Sequence, residues 1–319
     1  RVDRSSATNR ARASDSCRSR VMVHAPRMQA AAGAPEGQRA GTRHDGDALA
    51  AGGAGRGRRA AGGAAVHSRA GNRMPVLLIT GAGRGIGAAT ARLAAARGYD
   101  VAVSYKTDAK SAADVVAAVK QQGRKAVAIK ADMGSEADVE RMFKEADTLG
   151  RLSHFVYNAG IPGTAGRLES AAPAMMREVI EVNVLGALWA MQHAVRRMSV
   201  KHGGQGGAVV LLSSVAADIG GPNEYVWYAA SKGAIESMTY GLSKELAGDH
   251  IRVNCVSPGA SETRIHADAG TPEKLAKVAP MIPMGRVGKP EESAEGILFL
   301  LSDAASYISG TVLRVAGGR

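Results

Sequence analysis

Cysteine is almost missing from this chain. Its two cysteines, Cys17 and Cys255, lie far apart and cannot build a disulfide framework or a cysteine-rich zinc site. Aromatic residues are also scarce: two Trp, seven Tyr and three Phe, all after residue 73. They do not alternate with basic residues in the way that stacks nucleic-acid bases, so no nucleic-acid partner is expected. No apolar run approaches the roughly 18 residues of a membrane span, so no membrane insertion is expected. The eight histidines, at 24, 44, 67, 154, 193, 202, 250 and 266, are scattered. No His-Glu-x-x-His pair occurs, so no metal is expected. A Gly-x-Ser-x-Gly nucleophile elbow is also lacking. What remains, in 319 residues that are 45% hydrophobic and 22% charged, is ordinary globular composition.

The formal charge of +12 divides unevenly. Residues 1–73 hold 14 Arg, five acidic residues and no Lys, Ile, Phe, Tyr or Trp; residues 74–319 hold 27 basic and 24 acidic residues. The first segment cannot bury enough apolar surface to offset chain entropy and is expected to be disordered. Three origins fit it: an Arg-rich transit peptide, a basic arm for nucleic acid, or translated sequence upstream of the true start. Lysine appears only after Met74, which directly precedes the first strand pattern; this favours the third.

From Met74 the chain reads as alternating strands and helices. Val76–Ile79, 100–104, 126–129, 152–157, 208–212, 252–256 and 311–315 have strand character. Helical patterns cover about 85–97, 110–121, 136–149, 173–201, 225–247 and 290–301. Such alternation specifies an α/β fold, a Rossmann-type doubly wound parallel sheet flanked by helices. One domain is expected over about 74–319. The irregular stretch of about 260–290, rich in Gly, Pro and Met, is expected to be a substrate lid.

Thr80-Gly81-Ala82-Gly83-Arg84-Gly85-Ile86-Gly87 joins the first strand to the first helix. Glycines let backbone approach a pyrophosphate, and the helix N-terminus supplies free N–H groups. A turn without ligand is the plainer alternative, but the strand–loop–helix context favours a dinucleotide. No Lys-Ser/Thr follows, so this is not a Walker loop. The second strand ends Val103-Ser104-Tyr105-Lys106, with no acid before Asp108. An acid there would bind the ribose of NAD. Instead Arg84 and Lys106 could face a 2′-phosphate, so NADP(H) is favoured over NAD(H), although both cations could simply be solvated.

Tyr228-Ala229-Ala230-Ser231-Lys232 opens a helix and places phenol and amine on one face. An ammonium nearby would lower the phenol pKa toward working pH and suit Tyr228 to general acid/base work. Tyr225 has Ala229 four residues on, and so no matching lysine. Ser213 and Ser214 end the preceding strand, at the edge where parallel sheets bind ligands. Cys255, inside a strand, reads as a buried residue and not a nucleophile.

These motifs, with Asn158-Ala159-Gly160 and Pro258-Gly259, together resemble the short-chain dehydrogenase/reductase family from about Met74 to Arg319. The segment 222–234 is similar to a bacterial subgroup labelled glucose-1-dehydrogenase-like or uncharacterised. The resemblance implies reversible hydride transfer between a nicotinamide and a carbonyl or secondary alcohol. It implies Tyr228 as proton donor, Lys232 on the nicotinamide ribose, Ser214 on the carbonyl, and Asn183 holding a water that links Lys232 to solvent. Cofactor contacts are implied for Gly81, Arg84, Gly85, Ile86, Gly87, Lys106, Asp132 (adenine), Asn158, Ala159, Gly160, Pro258, Gly259 and Thr263 (carboxamide), besides Tyr228 and Lys232. A small-molecule carbonyl or alcohol substrate, a cytoplasmic location and a homo-oligomer, tetramer or dimer, are implied as well. Two other functions stay open: a 3-oxoacyl-carrier-protein reductase, and a non-catalytic NADP-binding regulator or scaffold. Ser214 stands 14 residues before Tyr228 where many members have 13, Ser261 replaces a usual apolar residue, and Ala316 a frequent Asp. These departures put the substrate wall and local packing in doubt, and leave Ser213 as a weaker candidate beside Ser214.

Overall fold

A computed structural model describes residues 74–319; the leader and its expected disorder lie outside the described residues. Seven strands pair in parallel in the order β3-β2-β1-β4-β5-β6-β7. They are β1 (Val76–Ile79), β2 (Asp100–Tyr105), β3 (Ala126–Lys130), β4 (Leu152–Tyr157), β5 (Gly207–Leu212), β6 (Ile251–Pro258) and β7 (Val312–Val315). The helices between them are α1 (Gly85–Ala96), α2 (Ala109–Gln121), α3 (Glu136–Ala146), α4 (Pro173–Ile180), α5 (Gly186–Met198), α6 (Ala216–Ile219), α7 (Val226–Glu245), α8 (Ile265–Asp268), α9 (Lys274–Val278) and α10 (Pro290–Leu301). The expected Rossmann-type sheet is therefore present.

The first strand shows why the sheet takes helices on both faces. Successive side chains of a strand point to opposite sides. Val76 and Leu78 join a core with Val139 of α3, Ala190 of α5 and Ile235 of α7. Leu77 and Ile79 join another with Ala91 of α1, Val115 of α2 and Ile297 of α10. A strand buried on both faces has no solvated side to write in polar residues, hence the unbroken Val-Leu-Leu-Ile. Strand order reverses between β1 and β4, which opens a crevice at their carboxyl ends.

Two expectations need correction. The helix expected over 173–201 is interrupted by a π turn, Glu181–Leu185, between α4 and α5. The Tyr157 hydroxyl donates to the Val182 carbonyl and draws it from the helical ladder. Gly186 then passes beneath β3's exit: a Cβ there would meet the Met133 carbonyl oxygen at 2.2 Å. The stretch 260–290 is also more regular than its pattern suggests, since it carries α8, α9 and a 3-10 turn at Ala279–Met281.

Leu78 is fully buried in this core. Leu78→Ala is expected to cost about 2–5 kcal/mol of stability, read by urea denaturation; an unchanged midpoint would contradict burial on both faces.

Candidate active site

The crevice is a cleft of about 1030 Å³, at the upper end of small-molecule sites. It runs from Lys106 and Asp132, past the glycine loop and Asn158-Ala159-Gly160, to Ser214, Tyr228 and Lys232, and ends under the 260–281 segment.

The glycine loop is shaped by contacts that only glycine permits. Gly81 (φ +61°) and Gly85 (φ +56°) have left-handed backbone. A Cβ on Gly81 would come within 3.0 Å of Ala159 Cα, and one on Gly85 within 3.2 Å of Thr263 Cγ2. At Gly87 a Cβ would strike Asn158 Nδ2 at 2.6 Å and Ala82 Cα at 2.8 Å. Asn158 fastens this turn, donating from Nδ2 to the carbonyls of Thr80 and Gly81, both at 2.9 Å. Ser104 accepts the Gly81 N–H at 3.2 Å. Ile86 opens α1 and lines the cleft. Across it, the Pro258 carbonyl accepts the Val215 N–H at 3.0 Å, and Gly259 packs on Ala316, whose Cα a Cβ would meet at 2.9 Å. The alanine therefore leaves no void. Ser261 is buried, with Oγ donating to the Gly259 carbonyl at 3.3 Å.

The two cations expected at a 2′-phosphate both line the cleft, and both already have partners. Arg84 pairs with Asp268 of α8 at 2.5 Å, and Lys106 with Asp132 at 2.9 Å and with Glu178 of α4 at 3.6 Å. Arg84 and Lys106 remain about half exposed, so these pairs exchange easily. The nearest acid after β2, Asp108, is turned toward α2: its carboxylate accepts the Ser111 N–H at 2.9 Å and the Ser111 hydroxyl at 2.7 Å.

Ser214, Tyr228 and Lys232 converge at the end of β5. Ser214 lies beside the Tyr228 phenol, and its Oγ accepts the Ala216 N–H at 3.2 Å. Ser213 faces the other way, donating to the Lys232 carbonyl at 3.1 Å and Glu236 Oε1 at 2.7 Å. Of the two serines, Ser214 is the one beside the phenol.

Lys232 Nζ donates to the Leu212 carbonyl at 2.8 Å and stands 5.6 Å from the Tyr228 ring centroid. Here the expected electrostatics are reversed. The phenol is pushed up to about 12 by burial, against the opposing pull of the neighbouring Ser214 hydroxyl. The Lys232 amine is pushed down to about 8 by the same burial. The amine sits beside the ring and is committed to a backbone carbonyl, so desolvation outweighs its attraction for a phenolate.

Asn183 is held by the segments around it. It lies in the π turn, fully buried. Its Oδ1 accepts the Ile161 N–H at 2.8 Å, and its Nδ2 donates to the Ile161 carbonyl and to Ser231 Oγ, both at 2.9 Å. Both amide hydrogens are used, so the side chain clamps the 158–161 segment to α7. Oδ1 lies across Gly160 from Lys232: a Cβ on Gly160 would meet Lys232 Nζ at 3.2 Å and Asn183 Oδ1 at 3.3 Å.

Four residues of the cleft were not legible in the sequence as site residues: Glu178, Glu224, Tyr225 and Lys274. No motif spacing marks them, because chain topology alone brings α4 and α9 to the crevice. Among the described residues no cluster of three or more His, Cys, Asp or Glu is placed to hold a metal, and no helix is long and apolar enough to cross a membrane. Cys255 is buried, which pushes its thiol up to about 12.

A glycine cradle at a strand-order reversal, beside a Ser–Tyr–Lys cluster, defines a nicotinamide-dependent oxidoreductase of the Rossmann type. A family profile described as Enoyl-(Acyl carrier protein) reductase matches residues 81–319. The chain is 45% identical over 247 residues to the "Uncharacterized oxidoreductase YgfF" of Escherichia coli (strain K12), covering 77% of this chain and 100% of that protein. It is 38% identical over 245 residues to a "Cis-4-hydroxycyclohexanecarboxylate dehydrogenase" of Sinomonas cyclohexanicum, covering 76% and 95%. Among solved structures, a 3-ketoacyl-(acyl-carrier-protein) reductase from Brucella melitensis complexed with NADH superposes with TM-score 0.71 at 34% identity, covering 77% and 98%. The chain belongs to the short-chain dehydrogenase/reductase family, and it is an oxidoreductase acting on CH–OH or carbonyl groups.

Two outcomes check this geometry. Gly87→Ala should weaken NADPH binding at least about tenfold, roughly 1.4 kcal/mol, with unchanged far-UV circular dichroism; unchanged affinity would contradict the crowding at Asn158. In the protein without cofactor, the 13C resonance of Tyr228 Cζ, assigned with Tyr228→Phe, should remain that of a phenol through pH 10. A phenolate signal below pH 9 would show that the lysine, and not burial, controls the group.

Proposed function

We propose that this chain catalyses reversible hydride transfer between NADP(H) and a small carbonyl or secondary-alcohol substrate, with Tyr228 as general acid/base. The observation that carries this is the meeting of Ser214, Tyr228 and Lys232 at the edge of the glycine-lined cleft. The cradle fits a dinucleotide, since Gly81, Gly85 and Gly87 keep clear the space that side chains would fill. When bound, the nicotinamide supplies the hydride.

The chain's own residues do the rest. Tyr228, protonated at neutral pH because burial holds it near 12, donates its proton to the carbonyl oxygen in reduction. Ser214 hydrogen-bonds the same oxygen and fixes its direction. Lys232, anchored on the Leu212 carbonyl, binds the nicotinamide ribose, and its charge stabilises the phenolate left behind. Asn183 positions Lys232 by holding Ile161 and Ser231, with Oδ1 open to a water. Gly81, Arg84, Gly85, Ile86 and Gly87 hold the pyrophosphate side, Asp132 the adenine, and Thr263 the carboxamide. Asn158, Ala159, Gly160, Pro258 and Gly259 form the walls.

For NADP(H) over NAD(H), the support is the lack of a free acid at the end of β2. Asp108 is spent on α2, and Arg84 and Lys106 can trade exposed carboxylates for a 2′-phosphate. A second reading, reduction of a 3-oxoacyl thioester, is favoured by the likeness to the reductase from Brucella melitensis. A soluble cytoplasmic homo-oligomer is part of the proposal.

Tyr228→Phe should retain NADPH binding and lose at least about 10²-fold in turnover on a ketone and thioester panel, the scale of a lost general acid. Substantial residual turnover would remove the assigned role. Replacing Arg84 and Lys106 by Gln should weaken NADPH more than NADH in fluorescence titrations; equal loss for both would overturn the cofactor preference.

A further inference from the structure

The end of the cleft beyond Tyr228 holds a buried cation. Lys274, on α9, has a side chain only 12% exposed. Its Nζ hydrogen-bonds the Tyr225 hydroxyl and Glu224, and stands 4.1 Å from the Tyr225 ring centroid. Tyr225 in turn packs edge-on against Tyr228, with centroids 5.7 Å apart. Tyr225 thus touches both this amine and the Tyr228 ring of the Ser–Tyr–Lys cluster. The same cleft is lined by the apolar residues Met175, Ile219, Pro222, Val278 and Met281.

The ion pair is asymmetric. Glu224 is 44% exposed while Lys274 is nearly enclosed. Moving the carboxylate into water therefore costs little. Leaving the amine behind without a partner costs a buried charge. Whatever displaces Glu224 must bring its own anion, and a neutral ligand leaves the pair closed. The other lysine at this end, Lys277, is 71% exposed and paired with Glu273, and Asp268 is taken by Arg84.

We propose that Lys274 is the specificity-determining residue of this site, and that it selects substrates bearing a carboxylate at the far end of an apolar body from the reacting carbon. The substrates would be oxo acids and the corresponding hydroxy acids, with the carboxylate replacing Glu224 on Lys274 and Tyr225. This rests on the assignment of Tyr228 and its neighbours as the reacting centre. Glu224 acts as a placeholder that keeps the cation paired between turnovers.

The test is calorimetric, on the full chain with NADP⁺ present, using cyclohexanecarboxylate and its neutral match cyclohexanecarboxamide. The wild type should bind the carboxylate at least about tenfold more tightly, a modest value for a desolvated charge pair. Lys274→Met should abolish that preference and leave carboxamide affinity within about twofold. Glu224→Gln, which removes the competitor, should tighten the carboxylate alone, and it decides the matter should Lys274→Met fail to fold. No preference in the wild type, a preference that survives Lys274→Met, or parallel shifts of both ligands in Glu224→Gln would overturn the proposal. NADPH oxidation with 4-oxocyclohexanecarboxylate and 4-oxocyclohexanecarboxamide separates the two levels. Turnover of both ketones without carboxylate preference sinks the Lys274 assignment and keeps the oxidoreductase site. Lys274-dependent carboxylate binding, with neither ketone reduced, keeps the anion site and removes Tyr228 as its reacting centre.

Discussion

The hydrogen bond from Lys232 to the Leu212 carbonyl ties the helix that carries Tyr228 to the carboxyl end of a central strand. Parallel strands leave carbonyls free at that edge, and α7 supplies an amine to meet one. With the amine held there, Tyr228, one turn earlier, faces Ser214 and not solvent. Asn183 braces the same helix through Ser231 and fastens it to Ile161. The sheet beneath is buried on both faces, so the edge cannot drift. Rigid scaffolding of this kind is what proton transfer at a fixed distance requires.

Burial also sets the resting charge state of the site. Both groups are driven toward neutrality: the phenol up to about 12 and the amine down to about 8. A protonated phenol is the form needed to reduce a carbonyl, and a partly desolvated amine retains a proton at neutral pH while losing it readily above. The environment thus favours the proton-donor state before any ligand arrives.

Much of the fold could be read directly. Val76–Ile79 matches its strand to the residue, because an unbroken apolar run bounded by turns has few alternatives; Leu152–Tyr157 matches as well, although Ser153 and His154 interrupt its apolar residues. The spacing of Tyr228 and Lys232 predicted their shared helix face. The sign of their mutual influence was not legible, since it depends on where Nζ is anchored and how little water remains. The π turn was also hidden: its cause is a hydroxyl on β4, far away in sequence. Arg84 and Lys106 were visible as cations, but their carboxylate partners come from α8, the β3 exit and α4. Lys274 carried no signal at all, because a lysine in a Gly- and Pro-rich stretch becomes a buried cation only when α9 folds over Tyr225.

A crystal structure with NADP⁺ bound tests the central claim most directly. It should show the pyrophosphate over Gly81–Gly87, the ribose hydroxyls on Lys232, and the reacting face of the nicotinamide turned toward the Tyr228 hydroxyl. A nicotinamide bound away from Tyr228, or a phenol that turns out of the cleft when the dinucleotide binds, would contradict it.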